Sequence, residues 1–159
     1  MTGKFTSRTR WREKLEKEQE AKVVKTPPKM SRFGKGTMLI PTPKLVNDLL
    51  GKVRKGKLVT VRELRRRLAA DFAVDVTCPL TTGIFLRIAA EAAEEDRANG
   101  RKRITPYWRV VKDDGSLNPR FPGGVDNQAR YLRREGFTLN HNGKTPRVEG
   151  FERRLITLS

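Results

Sequence analysis

The residue best equipped for covalent chemistry is Cys78. It stands in Thr77-Cys78-Pro79, beside the expected N-terminus of a helix, where the local partial positive charge favours a thiolate. The only histidine, His141, lies far along the chain in a polar turn, so no base stands near Cys78 in sequence, and a small buried hydrophobe is its leading role. One cysteine and one histidine leave no internal disulfide and no soft-ligand cluster for structural zinc. Asp113 and Asp114 are neighbours in a turn and point apart, which does not suit metal ligation. Gly34-Lys35-Gly36-Thr37 has the residue types of a phosphate loop without its G-x-x-x-x-G-K-[ST] spacing. No cofactor and no metal are expected.

Charge points to a partner more firmly than any motif points to a reaction. The 159 residues carry a formal charge of +17, and a field that one-sided attracts polyanions without special geometry. Residues 1–40 have 11 basic and 4 acidic side chains, 41–74 have 9 and 3, 75–99 have 2 and 5, and 100–159 have 13 and 6. Arg65-Arg66-Arg67 and Arg101-Lys102-Arg103 are candidate phosphate contacts, whereas Glu91, Glu94, Glu95 and Asp96 would repel phosphates. Nucleic acid is the expected partner and a membrane is not. No run approaches the roughly 18 to 20 apolar residues needed to cross a bilayer, and the first thirty residues lack an apolar signal core, so a cytoplasmic protein is expected, nucleoid-associated if bacterial.

The elements that would position these residues fall into three parts. Residues 1–40 read as a basic, partly helical extension that adds little core, with a polar helix over Arg8–Val24 ended by Pro27 and Pro28. Trp11 and Phe5 in it are candidates to stack on bases or to pack on the domain. Residues 41–137 form the expected domain. Thr42 caps a helix with Pro43 at its first position, and Leu45, Val46, Leu49, Leu50 and Val53 make its apolar stripe. Thr60 caps a second helix, Glu63 completes a capping box, and Leu64, Leu68 and Phe72 face inward. After a connection over Asp75–Thr82, a third helix spans Gly83–Ala98 with Ile84, Ile88, Ala92 and neighbouring alanines on its packing face. A strand follows over Ile104–Lys112, then a helix over Val125–Glu135 closed by Gly136. Residues 138–159 form a tail or hairpin around His141-Asn142-Gly143-Lys144. The fold class is α/β, mainly helical, with a helix-turn-helix-like (winged-helix-like) core and short strands.

The order of these pieces carries a resemblance. Pro106-Tyr107-Trp108-Arg109-Val110-Val111, then Gly123-Gly124, then Leu132 and Glu135-Gly136 are similar to the Pro-Cys-His-Arg-Val motif, Gly-Gly loop and Leu-x-x-Glu-Gly helix end of O6-alkylguanine-DNA alkyltransferases. Val53-Arg54-Lys55-Gly56-Lys57-Leu58-Val59-Thr60 resembles the family's lead-in to its first helix-turn-helix helix, and Asn99 stands seven residues before Pro106, where the family has an asparagine that holds the active-site turn. From about Leu45 to Gly136 the chain thus resembles that family's C-terminal domain, shared by the catalytically silent alkyltransferase-like proteins.

The resemblance implies a fold and a DNA partner, while its departures argue against the reaction. Tyr107 takes the position of the alkyl-accepting cysteine and Trp108 that of the histidine. A phenol with a pKa near 10 is a poor nucleophile and an indole is no base, so a non-catalytic protein is expected. Val61 replaces the tyrosine that rotates the target nucleotide, and Ala90 aligns with the arginine that fills the vacated stack, with Arg87 as a substitute. The implied pocket is Tyr107, Trp108, Arg109, Asn99, Gly123, Gly124 and Glu135. Within it Tyr107 and Trp108 either stack on a flipped base or fill the cavity, and Glu135 pairs with Arg109. The implied nucleic-acid contacts are Thr60, Arg62, Arg65, Arg66, Arg67, Arg87, Arg101, Lys102 and Arg103. The expected function is recognition of modified or distorted DNA together with a repair-protein partner. An RNA- or ribosome-associated protein on the same scaffold is the alternative, and it accounts better for the acidic third helix. An enzyme using Cys78 ranks below both.

Overall fold

In a computed structural model, which describes residues 10–159, the two threonine caps start their helices as their sequence context predicts. Thr42 Oγ1 accepts the Leu45 N–H at 3.2 Å and opens α1, Pro43–Leu50; Thr60 Oγ1 accepts the Glu63 N–H at 3.1 Å and opens α2, Val61–Asp71. The capping box at Thr60 forms only by half. The Glu63 carboxylate takes Arg66 (2.8 and 2.7 Å) and the Leu158 N–H (2.7 Å), which ties the end of the chain to α2.

The third helix, α3, runs from Pro79 to Ala98, starting four residues before the expected Gly83 because Pro79 suits a first helical position. The connection from α2 is correspondingly shorter and contains a strand, Val76–Thr77, so the motif is a helix–strand–helix. The expected packing face holds for Ala92 and its neighbouring alanines and is corrected at Ile84. Leu86, Ala89, Ala90, Ala92 and Ala93 are buried, whereas Ile84 is half exposed. Helix α3 is covered on two sides, by α1 and by the N-terminal segment, and small alanines let both backbones approach. Phe72, expected inward, is the C-cap of α2 and is partly exposed.

The strand expected over Ile104–Lys112 is reduced to Val110–Val111, preceded by a 3-10 helix at Tyr107–Arg109. It pairs in parallel with Val59–Thr60, Val59 opposite Val110. Helix α4, Gly124–Arg134, closes over this pair. Gln128, fully buried on α4, donates to the Trp108 and Val110 carbonyls (3.0 and 2.9 Å) and accepts the Asn118 N–H (2.8 Å), which pins the strand to the helix. Gly136 follows in the left-handed region at φ 93°, as a helix-ending glycine does. The tail makes a short antiparallel pair, Leu139–Asn140 with Arg147–Val148, and Phe151–Arg154 is a 3-10 helix rather than a strand.

The N-terminal segment departs most from expectation. From residue 10 onward it is built into the fold; Phe5 lies outside the described residues. The predicted long helix is a single short one, Trp11–Glu16, after which β-branched Val23 and Val24 enter a strand, Lys22–Lys25. That strand pairs antiparallel with Thr37–Ile40, which pairs in parallel with Val76–Thr77 (Met38 opposite Val76). Leu15, Met38 and Leu39 are buried, so the segment does contribute core. The short helix is anchored at its N-terminus: the Trp11 and Arg12 N–H groups donate to Glu95 of α3 (3.1 and 3.0 Å), and the Arg12 guanidinium pairs with Asp96. Replacing Arg12 with alanine leaves the nearly buried Asp96 without its partner. The expected cost is about 1–3 kcal/mol, with faster amide exchange over Trp11–Glu16, measurable by hydrogen-exchange mass spectrometry.

Candidate nucleic-acid interface

The segment expected to line a pocket is closed by its own side chains. Tyr107 is fully buried, edge-on to Trp108, Phe121 and Tyr131 at centroid distances of 5.4, 5.2 and 6.0 Å, and Trp108 stacks on Tyr131 at 4.1 Å and 9°. The Tyr107 and Tyr131 hydroxyls both donate to Glu94 at 2.6 Å, and Asn127 Nδ2 donates to Tyr107 Oη at 3.2 Å. Of the two roles open to the Tyr107-Trp108 pair, the structure shows the filling one. Burial, and then the bond to Glu94, raise the Tyr107 pKa, and the same causes push Tyr131 up to about 12. Burial works against ionised Glu94, but donations from Tyr107, Tyr131 and Arg97 outweigh it and hold the carboxyl below its usual range. This nest keeps one carboxylate charged and two phenols neutral, and it holds neither a thiol nor an ionised phenol.

Arg109 and Glu135 form the ion pair that orders the neighbouring turns. Arg109 reaches Glu135 through Nε and Nη2 (2.9–3.1 Å) and the Val53 carbonyl through Nη1 (2.6 Å). Glu135 also accepts the Trp108 indole N–H (2.7 Å) and the Gly56 N–H (3.0 Å). Gly123 has φ 75°, and a Cβ there would come 2.7 Å from Asn127 Cβ, so glycine lets Asn127 reach Tyr107; Gly124 begins α4. Asn99 is a correction. It is the exposed C-cap of α3, outside this nest, because the helix runs up to it and its backbone N–H donates to the Glu95 and Asp96 carbonyls.

The accessible surface lies instead around the first turns of α3. Leu80 and Ile84, one turn apart, are 62% and 50% exposed. A cavity of about 460 Å³ beside them is lined by Trp11, Lys14, Gly83, Arg87, Ile88 and Arg120, among others. A second, of about 430 Å³, shares Pro79 and Leu80 and adds Lys29, Met30, Arg32 and Phe33. A third, of about 340 Å³, shares Arg32 and Phe33 and adds Arg62, Arg65 and Arg66. The three form a continuous strip in which cations alternate with apolar and aromatic side chains. Among the described residues its one lining carboxylate is Asp75. Among the described residues Lys14, Lys29, Arg32 and Arg120 are in no ion pair.

The structure divides the basic residues expected to contact phosphates. Thr60 is spent as a cap. Arg62 and Arg65 border the strip, and exposed Arg87 does so while pairing with Glu91 at 3.6 Å. Arg66 is held by Glu63 and the Leu158 carbonyl, and Arg67 by Asp71 and the Ser159 carbonyl. Arg101, Lys102 and Arg103 are exposed but follow the far end of α3, about 30 Å along its axis from Leu80. Ala90, aligned with an inserted arginine, is fully buried and presents nothing to a ligand. The acidic residues of α3 are engaged as well: Glu91 with Arg87, Glu94 with the tyrosines and Arg97, Glu95 and Asp96 with the N-terminal helix.

No family model and no curated protein matches the sequence. Solved structures do match it in shape. S. pombe Atl1 in complex with damaged DNA containing O6-carboxymethylguanine superposes with a TM-score of 0.50 at 15% identity, covering 73% of this chain and 94% of that one. An S. pombe ATL in complex with DNA gives 0.52 with the same identity and coverage. The chain has the fold of an alkyltransferase-like protein. On that alkyltransferase-like fold, sequence reasoning missed Lys14, Lys29, Arg32, Phe33, Leu80 and Arg120 as strip residues. The signal it could have used is Leu80 and Ile84, an apolar pair one turn apart in a stretch where a core of alanines already satisfies the helix.

Proposed function

We propose that this chain is a DNA-binding protein of the alkyltransferase-like kind that performs no alkyl transfer. The observation that carries this reading is the strip around Leu80 and Ile84, cationic and apolar at once, on a fold that S. pombe Atl1 shares. Lysines and arginines there meet phosphates, and exposed apolar side chains meet the sugars and base edges of a groove. Tyr107, at the position of the family's acceptor cysteine, is a neutral buried phenol and gives the site no nucleophile. Arg62, Arg65 and Arg87 belong to the proposed contact set, and Arg101, Lys102 and Arg103 form a second patch at the other end of α3. Recognition of a modified or distorted base, with hand-over to a repair partner, is the finer form of the reading. The RNA-associated alternative drew its support from the acidic third helix, whose carboxylates are satisfied inside the protein.

Binding measured against salt tests this. With the four unpaired cations of the strip and Arg62, Arg65 or Arg87 in contact, log Kobs on duplex DNA is expected to fall against log salt with a slope of about −4 to −6. A duplex carrying O6-methylguanine is expected to bind more tightly than its plain counterpart at fluorescence-anisotropy equilibrium. Equal affinity for the two would remove lesion recognition, and tighter binding to structured RNA than to either would remove the DNA reading.

A further inference from the structure

Phe33 stands where two of the cavities meet, and their chemistry differs. On one side Met30, Pro79 and Leu80 make an apolar wall with Lys29 at its rim. On the other, Arg32 and Arg65 bring guanidinium carbons within 4.8 and 5.8 Å of the Phe33 centroid, and Phe33 as a residue is 37% exposed. Among the described residues Arg65 Nε is buried without a hydrogen-bond partner. Its neighbours are occupied differently: Arg62 pairs with Asp113 at 3.2 Å, and Arg66 is bound to Glu63. Asp75, the carboxylate lining this cavity, accepts the Thr37 N–H and hydroxyl at 2.9 and 3.1 Å.

Resting on the reading above that the protein binds DNA, we propose that Phe33, Arg32 and Arg65 form a seat for one unpaired nucleotide adjoining the duplex, its base against Phe33 and the apolar wall and its phosphate on the two arginines. An aromatic ring flanked by guanidinium planes is a stacking platform for any base. A phosphate oxygen pairs with the Arg32 and Arg65 guanidinium groups that line this cavity. A bare phosphate would leave exposed Phe33 and the apolar wall unused, and an apolar ligand would leave the two guanidinium groups without a counter-charge. Inside a duplex both faces of a base are already stacked, so only a strand end, flap or gap can deliver one to Phe33. Arg32 and Phe33 come from the N-terminal segment, so the seat joins that segment to the start of α3.

The test uses the full chain at one salt concentration, with a blunt duplex and the same duplex bearing a short single-stranded thymidine extension. The extended duplex is expected to bind on the order of tenfold more tightly. Phe33→Ala abolishes that preference, bringing the two affinities together, and Phe33→Trp keeps it. Arg32→Gln, at an exposed position, weakens binding of the extended duplex more than of the blunt one and so narrows the preference. Equal binding of the two duplexes by the wild-type protein, a preference that survives Phe33→Ala, or one left unchanged by Arg32→Gln overturns the proposal and leaves DNA binding standing. Failure to bind either duplex overturns the DNA reading itself.

Discussion

Replacement of Glu135 by alanine is expected to destabilise the protein by about 3–5 kcal/mol, because it strips a nearly buried guanidinium of its counter-charge. Arg109 would keep only the Val53 carbonyl, and the Trp108 and Gly56 N–H groups would lose their acceptor at the same stroke. Urea denaturation measures this as a fall in midpoint at unchanged m. The effect has a pH signature. Burial would raise the Glu135 pKa, yet the Arg109, Gly56 and Trp108 bonds more than offset it and hold the carboxyl below its usual range. A carboxyl whose folded pKa is depressed contributes its full stability above the unfolded value, about 4.3, and loses it as pH falls through the folded one. Wild type and Glu135→Gln are therefore expected to differ most near neutrality and to draw together as pH falls below about 4.3. A gap that stays constant down to pH 3 would show that the charge is not what matters.

The second large effect is at Tyr107. Tyr107→Ala removes a fully buried ring from the centre of an aromatic cluster and leaves Glu94 short of one donor, at an expected cost of about 3–5 kcal/mol. Tyr107→Phe separates the two contributions. It keeps the ring and loses the bond to Glu94, which retains Tyr131 and Arg97, and the one accepted from Asn127, which retains the Pro122 carbonyl, so about 1–2 kcal/mol is expected. Nearly equal losses in the two variants would mean that the hydroxyl network, not the packing, holds this turn.

What could be read from the sequence was whatever is decided within a few residues. The Thr42 and Thr60 caps, Pro43 at a helix start and Gly136 at a helix end are local steric and hydrogen-bonding matters, and all four stand where expected. The Arg109–Glu135 pair could be anticipated only through the family resemblance, since 26 residues separate its members. What depends on a distant partner was not legible. Polar Trp11–Glu16 read as part of a longer polar helix outside the core because the carboxylates that anchor it lie more than eighty residues away. Ile84 read as core because periodicity reports an apolar stripe without saying which side neighbours will cover. The strip was hidden for the same reason: Phe33, Leu80 and Arg120 belong to different segments, and only the fold puts them on one surface.

The way the N-terminal helix sits on Glu95 and Asp96 bears on how shortened chains are to be read. Those two carboxylates are masked only while Arg12 and the first backbone amides of that helix lie against them. A chain trimmed past Glu16 would lose Trp11 and Lys14 from the strip and, in the same cut, uncover two negative charges on the helix that bears Leu80 and Arg87. Its surface potential would change along with its contacts. A drop in DNA affinity on truncation is thus no measure of what the missing residues touch, unless Glu95 and Asp96 are made neutral in the same shortened chain.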